Sequence, residues 1–125
     1  MMMRSLLISI AVLSWSAAAT AQTMPLSTFL AKAEGLRAKG PLALMSSDLP
    51  LIKAEVKGSL TNYRTSLAAQ KAAGKPLDSC PPAKGALDSD EMMAFFGTIP
   101  AAQRSKMTVQ AALFSMMKKK YPCSK

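Results

Sequence analysis

The chain has 125 residues, with 16 Lys plus Arg against 7 Asp plus Glu, no histidine and two cysteines. That length suits one small domain rather than two. The missing histidines remove the usual general base, the Ser-His nucleophile pair and the commonest metal ligand together.

The chain opens with "MMMRSLLISIAVLSWSAAATAQ": a positive charge at Arg4, an apolar run from Leu6 to Trp15, and the small-residue site Ala19-Thr20-Ala21. This pattern predicts a secretory signal peptide over residues 1–21, cleaved after Ala21, and a periplasmic product. A membrane anchor needs about 20 predominantly apolar residues. Ser14, Ser16 and Thr20 interrupt the run, so no stable membrane insertion is expected. Cleavage removes one charge, Arg4, and leaves an excess of +8 on a single domain over residues 22–125. In an exported protein that excess points to an acidic protein or the anionic envelope rather than to nucleic acid, the alternative being a solvated lysine-rich surface with no specific partner.

From residue 26 onward apolar residues recur at spacings of three and four, and β-branched residues are sparse, which predicts an all-α bundle of about four helices. The first helix spans about Leu26 to Lys39, with Leu26, Leu30, Ala33 and Leu36 on one face, and ends at Gly40-Pro41. The short apolar stretch "PLALM" precedes "SSDLP", where Ser47 or Asp48 is the expected N-cap of a long helix reaching about Ala73. Its apolar stripe reads Leu49, Ile52, Val56, Tyr63 and Leu67 with Leu60 close by, and Lys53, Lys57, Arg64 and Lys71 are expected on the opposite side. Gly74 stops this helix.

The stretch "GKPLDSCPPAKGALDSDE" is rich in Gly, Pro, Ser and Asp and predicts an ordered loop that carries Cys80. Asp88 stands three residues before Glu91, as in a capping box, ahead of a short helix through Phe96. Met92, Met93, Phe95 and Phe96 are expected to fill core space. A final helix is expected from about Ser105, or slightly earlier from Pro100, to Lys120. Its closing lysines, Lys118 to Lys120, suit the negative end of the helix dipole.

Cys80 and Cys123 are the only cysteines. An oxidising compartment permits them to pair, which would tie the end of the last helix to the long loop; the alternative is two free or intermolecular thiols.

Few groups are left for chemistry. Paired cysteines would offer no thiolate, and Asp48, Asp88, Asp90 and Glu91 have ready explanations as helix starters. "DSDE" lacks the spacing of a calcium loop, and "AAGKP" lacks the Walker spacing. No catalytic, cofactor-binding or metal-ligating residue is assigned, no cofactor is expected, and binding or inhibition is the expected class.

Several motifs taken together resemble the Rap/Tai immunity proteins: the signal peptide, "SCPPAKG" at Cys80-Pro81-Pro82, "TIPAAQR" around Pro100, "AAL" at Ala111 to Leu113 and the terminal "YPC" from Tyr121 to Cys123. These are periplasmic helical proteins that, as a family, protect bacteria from peptidoglycan amidases delivered by type VI secretion. The resemblance covers residues 80–123. It implies a Cys80–Cys123 disulfide, occlusion of a secreted amidase by an exposed, preorganised element, and a homodimer, for which a Met-rich helical surface is the candidate. Upstream the chain departs from the family with "NYRTSLAAQKAAGKP", so no toxin-binding residue carries over. The candidate plug is the loop from Lys75 to Asp90, with Lys75, Lys84 and Leu87 as partner contacts. The competing expectation is a housekeeping periplasmic module of the same fold that binds another envelope protein or an anionic polymer.

Overall fold

In the computed structural model, residues 24–83 and 87–124 are described; the signal-peptide reading of residues 1–21 and Lys84 lie outside them. The described residues contain no strand. Helix α1 spans Leu26–Lys39, a 3₁₀ segment Gly40–Met45, α2 Asp48–Ala72, α3 Ser89–Thr98, α4 Ala101–Arg104 and α5 Val109–Lys120.

Two glycines end helices as the sequence predicts. Gly40, after α1, has φ 55°, and Gly74, after α2, has φ 66°. At Gly74 the amide donates to Lys71 O at 3.1 Å and the Lys75 amide to Gln70 O at 2.9 Å. This pair closes the last carbonyls of α2 as a Schellman motif, which a side chain at residue 74 would oppose. At the start of α2 the cap differs from expectation. Ser47 makes no side-chain cap bond; Ser46 Oγ accepts from the Asp48 amide at 3.2 Å, while the Asp48 carboxylate accepts from Lys32 Nζ at 2.9 Å and ties α2 to α1.

The final helix starts at Val109 rather than at Ser105, and the stretch from Pro100 is not continuous with it. α4 is a single turn, and α5 restarts at Val109 because the Thr108 side chain accepts from the Ala111 amide at 3.1 Å. The backbone of this break is used elsewhere: Leu26 N donates to Met107 O at 2.9 Å and Val109 N to Met24 O at 3.0 Å. Residues 24–26 and 107–109 thus form one antiparallel bridge, which satisfies amides that two adjoining helix starts would otherwise leave orphaned. Arg104 covers the far end of α3, donating through Nε to Ile99 O at 2.9 Å and through an Nη to Gly97 O at 3.1 Å.

The core consists of Leu26 and Phe29 from α1, Tyr63 from α2, Met92 and Phe96 from α3, and Val109, Ala112, Leu113, Met116 and Met117 from α5. Phe29 meets Phe96 edge-on with ring centroids 5.8 Å apart, and Tyr63 meets Phe114 at 5.5 Å. Met92, Met116 and Met117 are core residues, whereas Met45 is exposed and Met24, Met93 and Met107 are half-buried.

Glu55, Ser59 and Tyr63 are the buried residues of α2, one turn apart along its core face. Tyr63 OH hydrogen-bonds Ser79 Oγ. Glu55 Oε1 and Ser59 Oγ are buried and find no hydrogen-bond partner among the described residues. Burial holds the Glu55 carboxyl above its ordinary pKa, against the lowering influence of a backbone hydrogen bond from Met24.

Candidate binding groove

The loop between α2 and α3 is anchored at successive points. Gln70 clamps Asp78, donating through Nε2 to Oδ2 at 2.8 Å and accepting the Asp78 amide at 2.9 Å. Ser79 is fully buried against Tyr63. The Cys80 amide donates to Tyr121 O at 2.8 Å, and Cys80 and Cys123 form a disulfide across 43 residues of chain. Lys120 Nζ lies 2.6 Å from Glu91, and this hydrogen bond raises the Lys120 pKa. Lys118 approaches Asp78 at 4.0 Å. Two of the three terminal lysines are therefore engaged locally, and the C-terminal "YPC" is fastened to the loop.

This anchoring builds a wall. Pro81, Pro82 and Leu87 from the loop, with Leu60, Tyr63 and Arg64 from α2 and Met117 and Tyr121 from the C-terminal end, enclose a small recess of about 40 Å³. The recess shares Leu60, Arg64 and Leu87 with a much larger open groove of about 590 Å³. Ile52, Val56 and Leu60 of α2 form one side of that groove, and Leu87 and Met92 the other. Among the described residues its polar lining is Lys53, Lys57, Thr61, Arg64 and Ser89, with no carboxylate.

The three cations thus border the groove rather than facing away from the apolar stripe, as the sequence suggests. Successive helical residues turn by about 100°. Lys53 and Lys57 each follow an apolar residue, Ile52 and Val56, and lie on its flank, while Glu55, Ser59 and Tyr63 take the core-facing positions on the other flank. Ile52, Val56 and Leu60 are consequently only half-buried. An exposed pair of apolar walls with charges of one sign has the make-up of a binding surface.

Of the residues expected to contact a partner, Leu87 is half-buried, packs against the core and lines the groove. Lys75 is exposed at the C-terminal end of α2 and lines none of the groove. The described part of the Lys75–Asp90 loop is therefore a wall pinned to the bundle. A second exposed apolar cluster was not singled out as functional from the sequence: Leu42, Leu44 and Met45 of the 3₁₀ segment are 67%, 78% and 87% exposed, with Leu51 nearby at the start of α2. The signal for it was present in "PLALM", an apolar run bounded by Gly40 and Ser46-Ser47 with no polar face.

Among the described residues no helix is long and apolar enough to cross a membrane. Comparison with protein-family models, curated proteins and solved structures finds no match to the chain.

Proposed function

We propose that the mature chain is an exported binding protein that works by occlusion, and that its partner is a secreted peptidoglycan amidase, as for the Rap/Tai immunity proteins that its Cys-Pro to Tyr-Pro-Cys frame resembles. The observation that carries the binding reading is the groove: two apolar walls, bordered by Lys53, Lys57 and Arg64, with no carboxylate in its lining among the described residues. A preformed groove gains affinity because little ordering entropy is lost on binding. The amidase as partner rests on the resemblance over residues 80–123.

The competing reading, attachment of a housekeeping module to an anionic envelope polymer, requires the cations but has no use for apolar walls. The two differ in salt dependence. Diffuse cation contacts weaken steeply as salt rises, whereas a packed apolar interface survives. Capture of partners from the periplasm of the producing strain by tagged, disulfide-intact protein, with high-salt washes and mass spectrometry, tests this. Recovery of one cell-wall amidase in stoichiometric amount is the expected result. Recovery of no protein, with binding to envelope fractions lost as salt rises, would overturn it.

A further inference from the structure

The spacing of charge along the groove says more about its occupant than the groove's size does. Ile52 to Arg64 covers about 18 Å of helix at 1.5 Å per residue. Lys53 and Lys57 lie about 6 Å apart along the α2 axis, and Arg64 about 10 Å further on. The cations are thus distributed down the whole groove on its α2 side. The opposite wall, at the start of α3, has acidic neighbours: Asp88 caps that helix, its Oδ1 accepting from the Asp90 and Glu91 amides at 2.8 and 3.3 Å. Among the described residues the groove's cations therefore all lie on one side.

A single-chain fatty acid carries its charge at one end and would use one of the three cations. A second copy of this chain is disfavoured by charge, since each copy carries a large positive excess and the described lining offers no acid to receive it. An amphipathic helix fits both features. Its apolar residues at i, i+3, i+4 and i+7 pack between Ile52, Val56 and Leu60 on one side and Leu87 and Met92 on the other, and acids along one flank face the cations.

We propose that this groove is a docking site for an acidic amphipathic helix of a protein partner, held with its carboxylates along the Lys53, Lys57 and Arg64 side. The inference deepens the binding role proposed above and rests on it only in taking the partner to be a protein; it does not require an amidase. Lys53, Lys57 and Arg64 are exposed, so replacing them by glutamine removes the charge without touching the core.

The test uses oxidised mature protein and a phage-displayed library of amphipathic 16-residue helices with an invariant leucine face and flanking positions randomised among Glu, Gln and Lys. Selection on the wild-type protein is expected to enrich Glu on one flank. Synthetic winners should bind the K53Q/K57Q/R64Q variant at least ten-fold more weakly, with its circular dichroism unchanged. Equal recovery of Glu, Gln and Lys flanks, or binding indifferent to the triple substitution, would overturn the proposal. So would failure to enrich any helix while laurate binds saturably and is lost in the triple variant, which would assign the groove to a single-chain anionic amphiphile. Because the probes are independent of any amidase, failure to capture an amidase leaves this result standing, and the converse holds as well.

Discussion

Replacing both cysteines, as Cys80→Ser with Cys123→Ser, tests how the C-terminal end is held. The disulfide closes a loop of 43 residues. In the chain-entropy account, a loop of that length restricts the unfolded chain enough to contribute about 4 kcal/mol. For a domain of this size each kcal/mol corresponds to roughly 4–8 °C of melting temperature, so the double variant should melt about 15–30 °C below the oxidised protein. The remaining ties, Cys80 N to Tyr121 O, Gln70 to Asp78 and Tyr63 to Ser79, survive the substitution. Each contributes only about 0.5–1.5 kcal/mol net, and none constrains the unfolded state. Thermal unfolding followed by far-ultraviolet circular dichroism, with wild type in a phosphine reductant as a second route to the same state, measures the difference. A loss below about 5 °C by both routes would refute the reasoning, because it would mean that the non-covalent ties alone hold the segment.

Other consequences follow from single residues. Glu55→Gln should stabilise the domain at neutral pH. A carboxyl whose folded pKa lies above its unfolded value favours the protonated form, so wild-type stability falls as pH rises from the unfolded value through the folded one. The gain in the variant should disappear below that window, and an equal gain at all pH values would contradict the assignment. Thr108→Ala removes the side-chain acceptor that restarts α5 and should cost about 1 kcal/mol in urea unfolding, with an unchanged slope. An unchanged midpoint would show that the cap is not what restarts the helix. Leu44→Ser with Met45→Ser, at side chains more than three-quarters exposed, should leave the melting temperature within about 2 °C of wild type. A larger fall would show that the 3₁₀ segment is packed in solution.

Helix existence was legible in the sequence wherever both ends carried a chemical stop. Gly40 and Gly74 ended α1 and α2, and Asp88 opened α3, because a positive φ and an N-cap are local requirements that a residue type meets by itself. The break at Thr108 was less legible, since it depends on residues 107–109 pairing with residues 24–26 across more than 80 residues of chain.

The groove was half visible. Ile52, Val56 and Leu60 read as a core stripe, and helical periodicity cannot tell a stripe covered by another helix from one left half-covered. Here the covered face belongs to Glu55, Ser59 and Tyr63, two of which a hydrophobic pattern passes over. Leu87 belonged to the proposed contact loop in sequence, and its packing against the core places it on the groove's second wall.

Hydrogen–deuterium exchange of the oxidised protein, alone and with its captured partner, tests the central claim that this groove is where the protein binds. The account predicts added protection over Ile52–Arg64 of α2 and Leu87–Met92, with α5 unchanged because none of its residues lines the groove. Protection confined to segments that do not line the groove, with Ile52–Arg64 exchanging at its free rate, would contradict it.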